Sequence, residues 1–116
     1  MVREGASSFK DYVLDALSEL DGVHARSMFG GYGLYLGEDF FGLCKNDAVY
    51  FRVDDVSRRD YERLDSRPFV YSRDGKMRTM AYYEVPVEVI DDRERFVTWA
   101  VREAEVGRKV KKQKKK

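Results

Sequence analysis

At 116 residues the chain holds the sequence of one domain, and its 43% hydrophobic and 14% aromatic content supplies one sizeable core, which excludes a wholly disordered protein. The 22 Lys+Arg against 21 Asp+Glu leave a formal net charge of +1, so overall charge selects no class of partner, and a single Cys excludes an internal disulfide and a four-Cys zinc site. The N-terminus MVREGASSFK lacks an apolar signal core and no run approaches the roughly 20 apolar residues of a membrane span, so a cytoplasmic protein without membrane contact is expected.

Ser8 is placed to cap a first helix, in which Phe9, Tyr12, Val13, Ala16, Leu17 and Leu20 follow the spacing of one buried stripe and Gly22 is placed to stop it. From His24 onward the period changes to two. Runs over 24–29, 32–36, 40–45 and 48–53, separated by Gly30-Gly31, Gly37-Glu38-Asp39 and Asn46-Asp47, predict a four-stranded antiparallel meander. Ser57 caps a short charged helix to about Leu64 with little apolar stripe. A β-hairpin follows over 69–72 and 77–85, turning at Asp74-Gly75 and ending before Pro86. Asp91 or Asp92 caps a C-terminal helix whose inward stripe is Phe96, Trp99, Ala100 and Ala104, with Gly107 ending it. The expected fold is α+β, a single two-layer sandwich with one antiparallel sheet and helices on one side.

The near-neutral total hides an asymmetry. Residues 108–116 hold seven Lys/Arg (Arg108, Lys109, Lys111, Lys112, Lys114, Lys115 and Lys116) and no acid, leaving 15 basic and 21 acidic groups in residues 1–107. The expectation is a domain over 1–107 and a disordered tail over 108–116, the seven cations being candidate nonspecific nucleic-acid contacts that act by counterion release. The bland reading of the same run is a solubilising end.

Chemistry-bearing residues are sparse. His24, the only histidine, is three residues from Ser27, and odd strand spacing sends the two to opposite faces. A cross-strand pair of His24 with Cys44 is open geometrically, although Cys44 lies in an apolar strand where a free Cys is usually a small core residue. The cluster Gly30-Gly31-Tyr32-Gly33 has no following Lys-Ser/Thr and opens no helix, so a structural turn is favoured over a phosphate cradle. The acid pairs Glu38-Asp39, Asp54-Asp55 and Asp91-Asp92 sit where turns and helix starts need carboxylates. Arg58, Arg59, Arg63 and Arg67 alternate with acids, as on a solvated face. No cofactor or metal set is indicated. Alternation also forces one of Tyr82 and Tyr83 onto the open sheet face, where aromatics suit a protein partner, a homodimer or a stacked base.

Several segments in order carry a resemblance: Met28-Phe29-Gly30-Gly31-Tyr32-Gly33 with its flanks, Val49-Tyr50-Phe51-Arg52-Val53-Asp54-Asp55, Pro68-Phe69-Val70-Tyr71, Met80-Ala81-Tyr82-Tyr83-Glu84-Val85-Pro86, and Trp99-Ala100. Together, over about 24–104, they resemble the N-terminal domain of the TfoX/Sxy regulators of bacterial competence genes. The resemblance implies an α+β domain, a non-enzymatic role in transcription through a protein partner, and a structural role for Met28, Phe29, Gly30, Gly31, Tyr32 and Gly33. Named members carry a second, helical domain after this one, whereas this sequence runs into its basic tail. The alternative from the residues is a small-ligand or enzymatic domain using the loop at 30–33 with His24 or Cys44.

Overall fold

Alternating side chains and Gly/Asn/Asp turns between residues 23 and 52 form the expected meander. The structure, a computed structural model, describes residues 5–28, 30–73 and 76–114, with side chains placed for 9–28, 30–69 and 81–109. Its elements are α1 (Gly5–Ala16), β1 (Val23–Met28), β2 (Gly31–Leu36), β3 (Asp39–Lys45), β4 (Ala48–Arg52), α2 (Arg58–Arg63), β5 (Pro68–Arg73), β6 (Lys76–Glu84), α3 (Val87–Ile90) and α4 (Arg93–Lys114). The six strands make one antiparallel sheet in the order β1-β2-β3-β4-β6-β5, so the second hairpin joins the meander through β6. Asn46 and Asp47 both take positive φ (53° and 60°), as the tight β3–β4 turn requires. The expected Asp74-Gly75 turn and Phe29 lie outside the described residues.

One face of the sheet is covered by α1, α3 and α4. Val13 and Leu17 from the first helical segment, Leu34, Phe41, Val49 and Phe51 from the sheet, and Phe96 and Ala100 from α4 are fully buried together. Phe51 and Phe96 stack at 5.4 Å between ring centroids, which fixes α4 over β4. Among the described residues no helix is long and apolar enough to cross a membrane.

Several boundaries differ from expectation, each for a local reason. Ser8 is inside α1 rather than its cap, because nothing between Gly5 and Ser8 breaks a helix and Ala6 favours one. The α-helix stops at Ala16, where tighter turns take over (Leu20 N–H to the Leu17 carbonyl, 2.9 Å); Gly22, at φ +92°, makes the later turn into β1. Tyr12 is half exposed, its hydroxyl bonding Asp91 Oδ1 at 3.1 Å, so it leaves the expected stripe and Leu14 packs against the core instead.

Ser57 makes no side-chain cap to α2. Asp54 Oδ1 takes the Val56 and Ser57 N–H groups (3.1 and 2.8 Å) while Ser57 Oγ accepts from the Asp54 N–H (3.2 Å), and these bonds hold the Asp54 carboxyl below its usual range. Asp92 does cap α4, accepting from the Arg95 N–H at 3.3 Å. The largest correction is at the C-terminal end. Gly107 does not end α4, and 108–114 of the expected disordered tail continue it. A Cβ on Gly107 would collide with the Phe40 carbonyl oxygen, so this glycine brings the helix onto β3. Lys and Arg beyond it are good helix formers with no proline among them.

Candidate functional site

The glycine cluster closes the β1–β2 hairpin. Gly30 turns the chain at φ +78°, and Gly31 and Gly33 pair with Met28 and Arg26 across the ladder. A Cβ on Gly31 would collide with the Cys44 carbonyl oxygen, whereas one on Gly33 would meet the mobile end of Met28 (Cε, 2.7 Å) and the Phe40 ring (3.0 Å). Tyr32 packs toward the core with Lys10 Nζ 5.1 Å from its ring centroid. Each residue described here has a packing role. Gly31→Ala is therefore expected to lower stability by about 2–3 kcal/mol as β2 is pushed off β3, and Gly33→Ala by under about 1 kcal/mol as Met28 swings aside. Paired thermal melts check the ranking, and equal losses would contradict it.

The residues of the enzymatic alternative are not brought together. His24 lies opposite Tyr35 and stacks on its ring at 5.5 Å, with Nδ1 3.0 Å from the Gly22 carbonyl. Cys44 lies opposite Tyr32, three residues from Tyr35 along β2 and hence on the other face, buried in the core. Burial pushes its thiol up to about 12, against a smaller opposing pull from Lys10, which disfavours the reactive thiolate. Among the described residues no group of three His, Cys, Asp or Glu is gathered to hold a metal. In the arginine-rich segment, whose interleaved acids suggest i,i+4 ion pairs, Arg58 pairs with Glu62 at that spacing (3.4 Å), while Arg58 with Asp55 (2.9 Å) and Arg63 with Asp60 pair at i,i+3.

What the sequence reading missed is a polar network between α2 and α4. Glu103 is completely buried and accepts three bonds on Oε2, from Tyr61 OH (2.7 Å) and from Arg102 Nη2 and Nε (2.9 and 3.2 Å), while among the described residues Oε1 has no hydrogen-bond partner. Arg102 also bonds Asp60 at 2.6 Å, and that bond holds the Asp60 carboxyl below its usual range. Burial lifts the Glu103 carboxyl above its usual range despite the Arg102 and Tyr61 bonds, and burial likewise raises Tyr61. Trp99 sits beside Tyr61 at 4.6 Å with Arg95 and Arg102 over its ring at 5.3 and 5.1 Å. An open cleft of about 330 Å³ lies alongside, lined by Asp60, Arg63, Leu64, Arg95 and Trp99. The sequence signal was available, because Glu103 falls on the same i, i+3, i+4, i+7 stripe as Phe96, Trp99 and Ala100.

The second ordered surface is the open face of the sheet. One row across it reads Arg26–Gly33–Leu43–Tyr50–Glu84, and the next runs His24–Tyr35–Phe40 and then Arg52–Tyr82. Rings in the second row touch in series, Tyr35 to Phe40 at 5.2 Å and Phe40 to Tyr82 at 5.9 Å. Arg26 lies over Tyr35 at 4.9 Å, and Arg52 donates to Tyr82 OH at 2.8 Å. Of the expected Tyr82/Tyr83 alternation, Tyr83 faces the core and bonds Glu62 at 3.0 Å; Tyr82 takes the open face, covered by these neighbours.

A family model, the TfoX N-terminal domain, matches residues 15–106, which span the end of α1, the whole sheet and the packed part of α4. The chain belongs to the TfoX N-terminal domain family. No curated protein matches it. In this TfoX domain the matched region takes in the glycine hairpin, the α2–α4 network and the open sheet face. The basic stretch lies just past it. Of the seven expected nucleic-acid contacts, Arg108 and Lys109 are exposed on α4, Arg108 bonding Glu105 at 3.0 Å. Lys111, Lys112 and Lys114 follow on the same helix, and Lys115 and Lys116 lie outside the described residues.

Proposed function

We propose that this TfoX domain is a non-enzymatic binding module of transcription regulation in the cytoplasm, acting through a protein partner, with nonspecific DNA affinity supplied by the basic end of α4. The observation that carries the reading is the charge separation between residues 1–107 and the basic run that follows them. Residues 108–116 bear seven cations and no acid, while residues 1–107 carry a six-charge acidic excess that repels DNA from the rest of the surface. Gly107 ties α4 to β3 immediately before the run, so the cations continue from an anchored helix. The separation of His24 from Cys44 and the raised thiol support the non-enzymatic part.

Fluorescence anisotropy with a labelled generic duplex tests the reading. Five phosphate contacts would give a log–log salt slope of about −4.5, and a variant with Lys109, Lys111, Lys112 and Lys114 all changed to Gln should lose about 3.6 of it. An equal slope for the variant, or no binding at low salt, overturns the DNA part. Ligand-dependent stabilisation that is lost on mutating Gly31 would favour the small-ligand alternative.

A further inference from the structure

The first row of the open sheet face is polarised end to end. It begins with exposed Arg26 on edge strand β1, crosses Gly33, Leu43 and Tyr50, and ends with exposed Glu84 on β6. Leu43 is at its midpoint, and Leu43 and Tyr50 are half-buried, the Phe69 ring meeting Tyr50 edge-on at 5.0 Å. Among the described residues neither Arg26 nor Glu84 has an ion-pair partner.

We propose that this face is the interface of a symmetric dimer of the chain, two sheets packed face to face about a two-fold axis that runs along the strands above Leu43. A two-fold axis in that direction reverses the order of strands and keeps the position along them. It therefore sets Arg26 of one copy against the partner's Glu84, Tyr50 against the partner's Gly33, and Leu43 against itself. Charge meets opposite charge twice in each dimer, and the Tyr50 ring meets an apolar patch, since the Met28 methyl and the Phe40 ring edge fill the place of a side chain at Gly33. The second row obeys the same operation, since Arg52 comes over the partner's Tyr35 and Phe40 over the partner's Phe40. The alternative axis, perpendicular to the strands, would set Arg26 against the partner's Arg26 and is disfavoured.

The face is large enough. Five strand spacings of about 4.8 Å by the length of β3, about 23 Å, make on the order of 550 Å² of sheet plane before side-chain relief is added, against about 800 Å² of accessible surface per partner in a standard interface. Lys45 lies at the end of β3 with its stem beside Gly31, so its ammonium can stay in water at the rim. A single-stranded nucleic acid suits the face less well. His24 and Tyr35 stack on each other at an interplanar angle of 12°, so rings standing side by side across strands turn edges outward and offer few free faces to bases.

Sedimentation velocity on the full chain, with charge reversals at the two ends, tests this directly and does not depend on DNA binding. The parent should sediment as a dimer at micromolar concentration. Arg26→Glu and Glu84→Arg should each weaken association by at least about tenfold, because each puts two like-charge contacts into the interface, and the double reversal should restore it. Both sites are exposed, and unchanged melting curves confirm that each variant folds. Leu43→Lys, at the axis, should leave only monomer. A monomeric parent overturns the proposal, as does a single reversal that leaves the dimer intact or a double reversal that stays monomeric. Binding of a single-stranded oligonucleotide to a monomeric parent through Arg26 would also overturn it and assign the face to nucleic acid.

Discussion

Gly107→Ala is expected to lower the melting temperature by about 8 °C, although the same change in an open helix raises stability by about 1 kcal/mol. The added methyl would collide with the Phe40 carbonyl oxygen, a backbone atom of β3 that cannot turn away as a side chain can. Relief requires α4 to lift from the sheet near Phe41 and Phe51, loosening contacts that bury Phe96 and Ala104. Overpacking of this kind costs about 3 kcal/mol, so the net loss is about 2 kcal/mol after the propensity gain, at roughly 4 °C for each kcal/mol in a domain of this size. Lys109→Ala, on the exposed surface of the same helix, should change the melting temperature by under about 2 °C and serves as the control. Thermal melts followed by circular dichroism read both. A Gly107→Ala protein as stable as its parent would show that α4 does not approach β3 this closely.

Gly107 also shows where sequence reading succeeds and where it stops. The four-strand meander, the second hairpin and both long helices were legible because period-two runs and Gly/Asn/Asp turns are local signals, and the stripe of Phe96, Trp99, Ala100 and Ala104 is buried as expected. A glycine followed by a charge run carries two meanings, however. It can end a helix or let one pass close to another backbone, and only the position of Phe40, 67 residues earlier in the chain, decides between them. Glu103 was missed for a related reason. Charged residues are normally assigned outward, and the groups that make burial tolerable come from α2 (Asp60 and Tyr61) and from its own neighbour Arg102. Tyr61 was hidden in a segment whose six residues include four charged ones besides Tyr61 and Asp60. The polarity of the open-face row was likewise invisible before the register was known, since Arg26, Leu43, Tyr50 and Glu84 come from four separated segments.

Replacing Glu103 with alanine should cost about 3 kcal/mol, the lower end of what removing one member of a buried ion pair costs, because Arg102 keeps Asp60 while the buried Tyr61 hydroxyl loses its acceptor. Glu103→Gln separates shape from charge. It keeps the volume and an acceptor oxygen for Tyr61, so its loss at neutral pH should be well under that of alanine. The pH dependence then follows from the direction of the shift. Burial holds the Glu103 carboxyl above its usual range, so between the unfolded and folded values the native state binds more protons than the unfolded chain. This group's contribution is therefore greatest at low pH and is lost as pH rises through the folded value. Asp60 behaves oppositely, its stabilisation being present above the unfolded carboxylate value and lost as pH falls through the lowered folded one, but it is common to both proteins and largely cancels from their difference. The stability of Glu103→Gln relative to the parent should thus improve as pH rises from the ordinary glutamate value through the raised folded one, read as the shift between paired urea-unfolding midpoints. A difference that moves the other way would mean that the Arg102 and Tyr61 bonds outweigh burial and that the Glu103 carboxylate, rather than its neutral form, is what the α2–α4 contact stabilises.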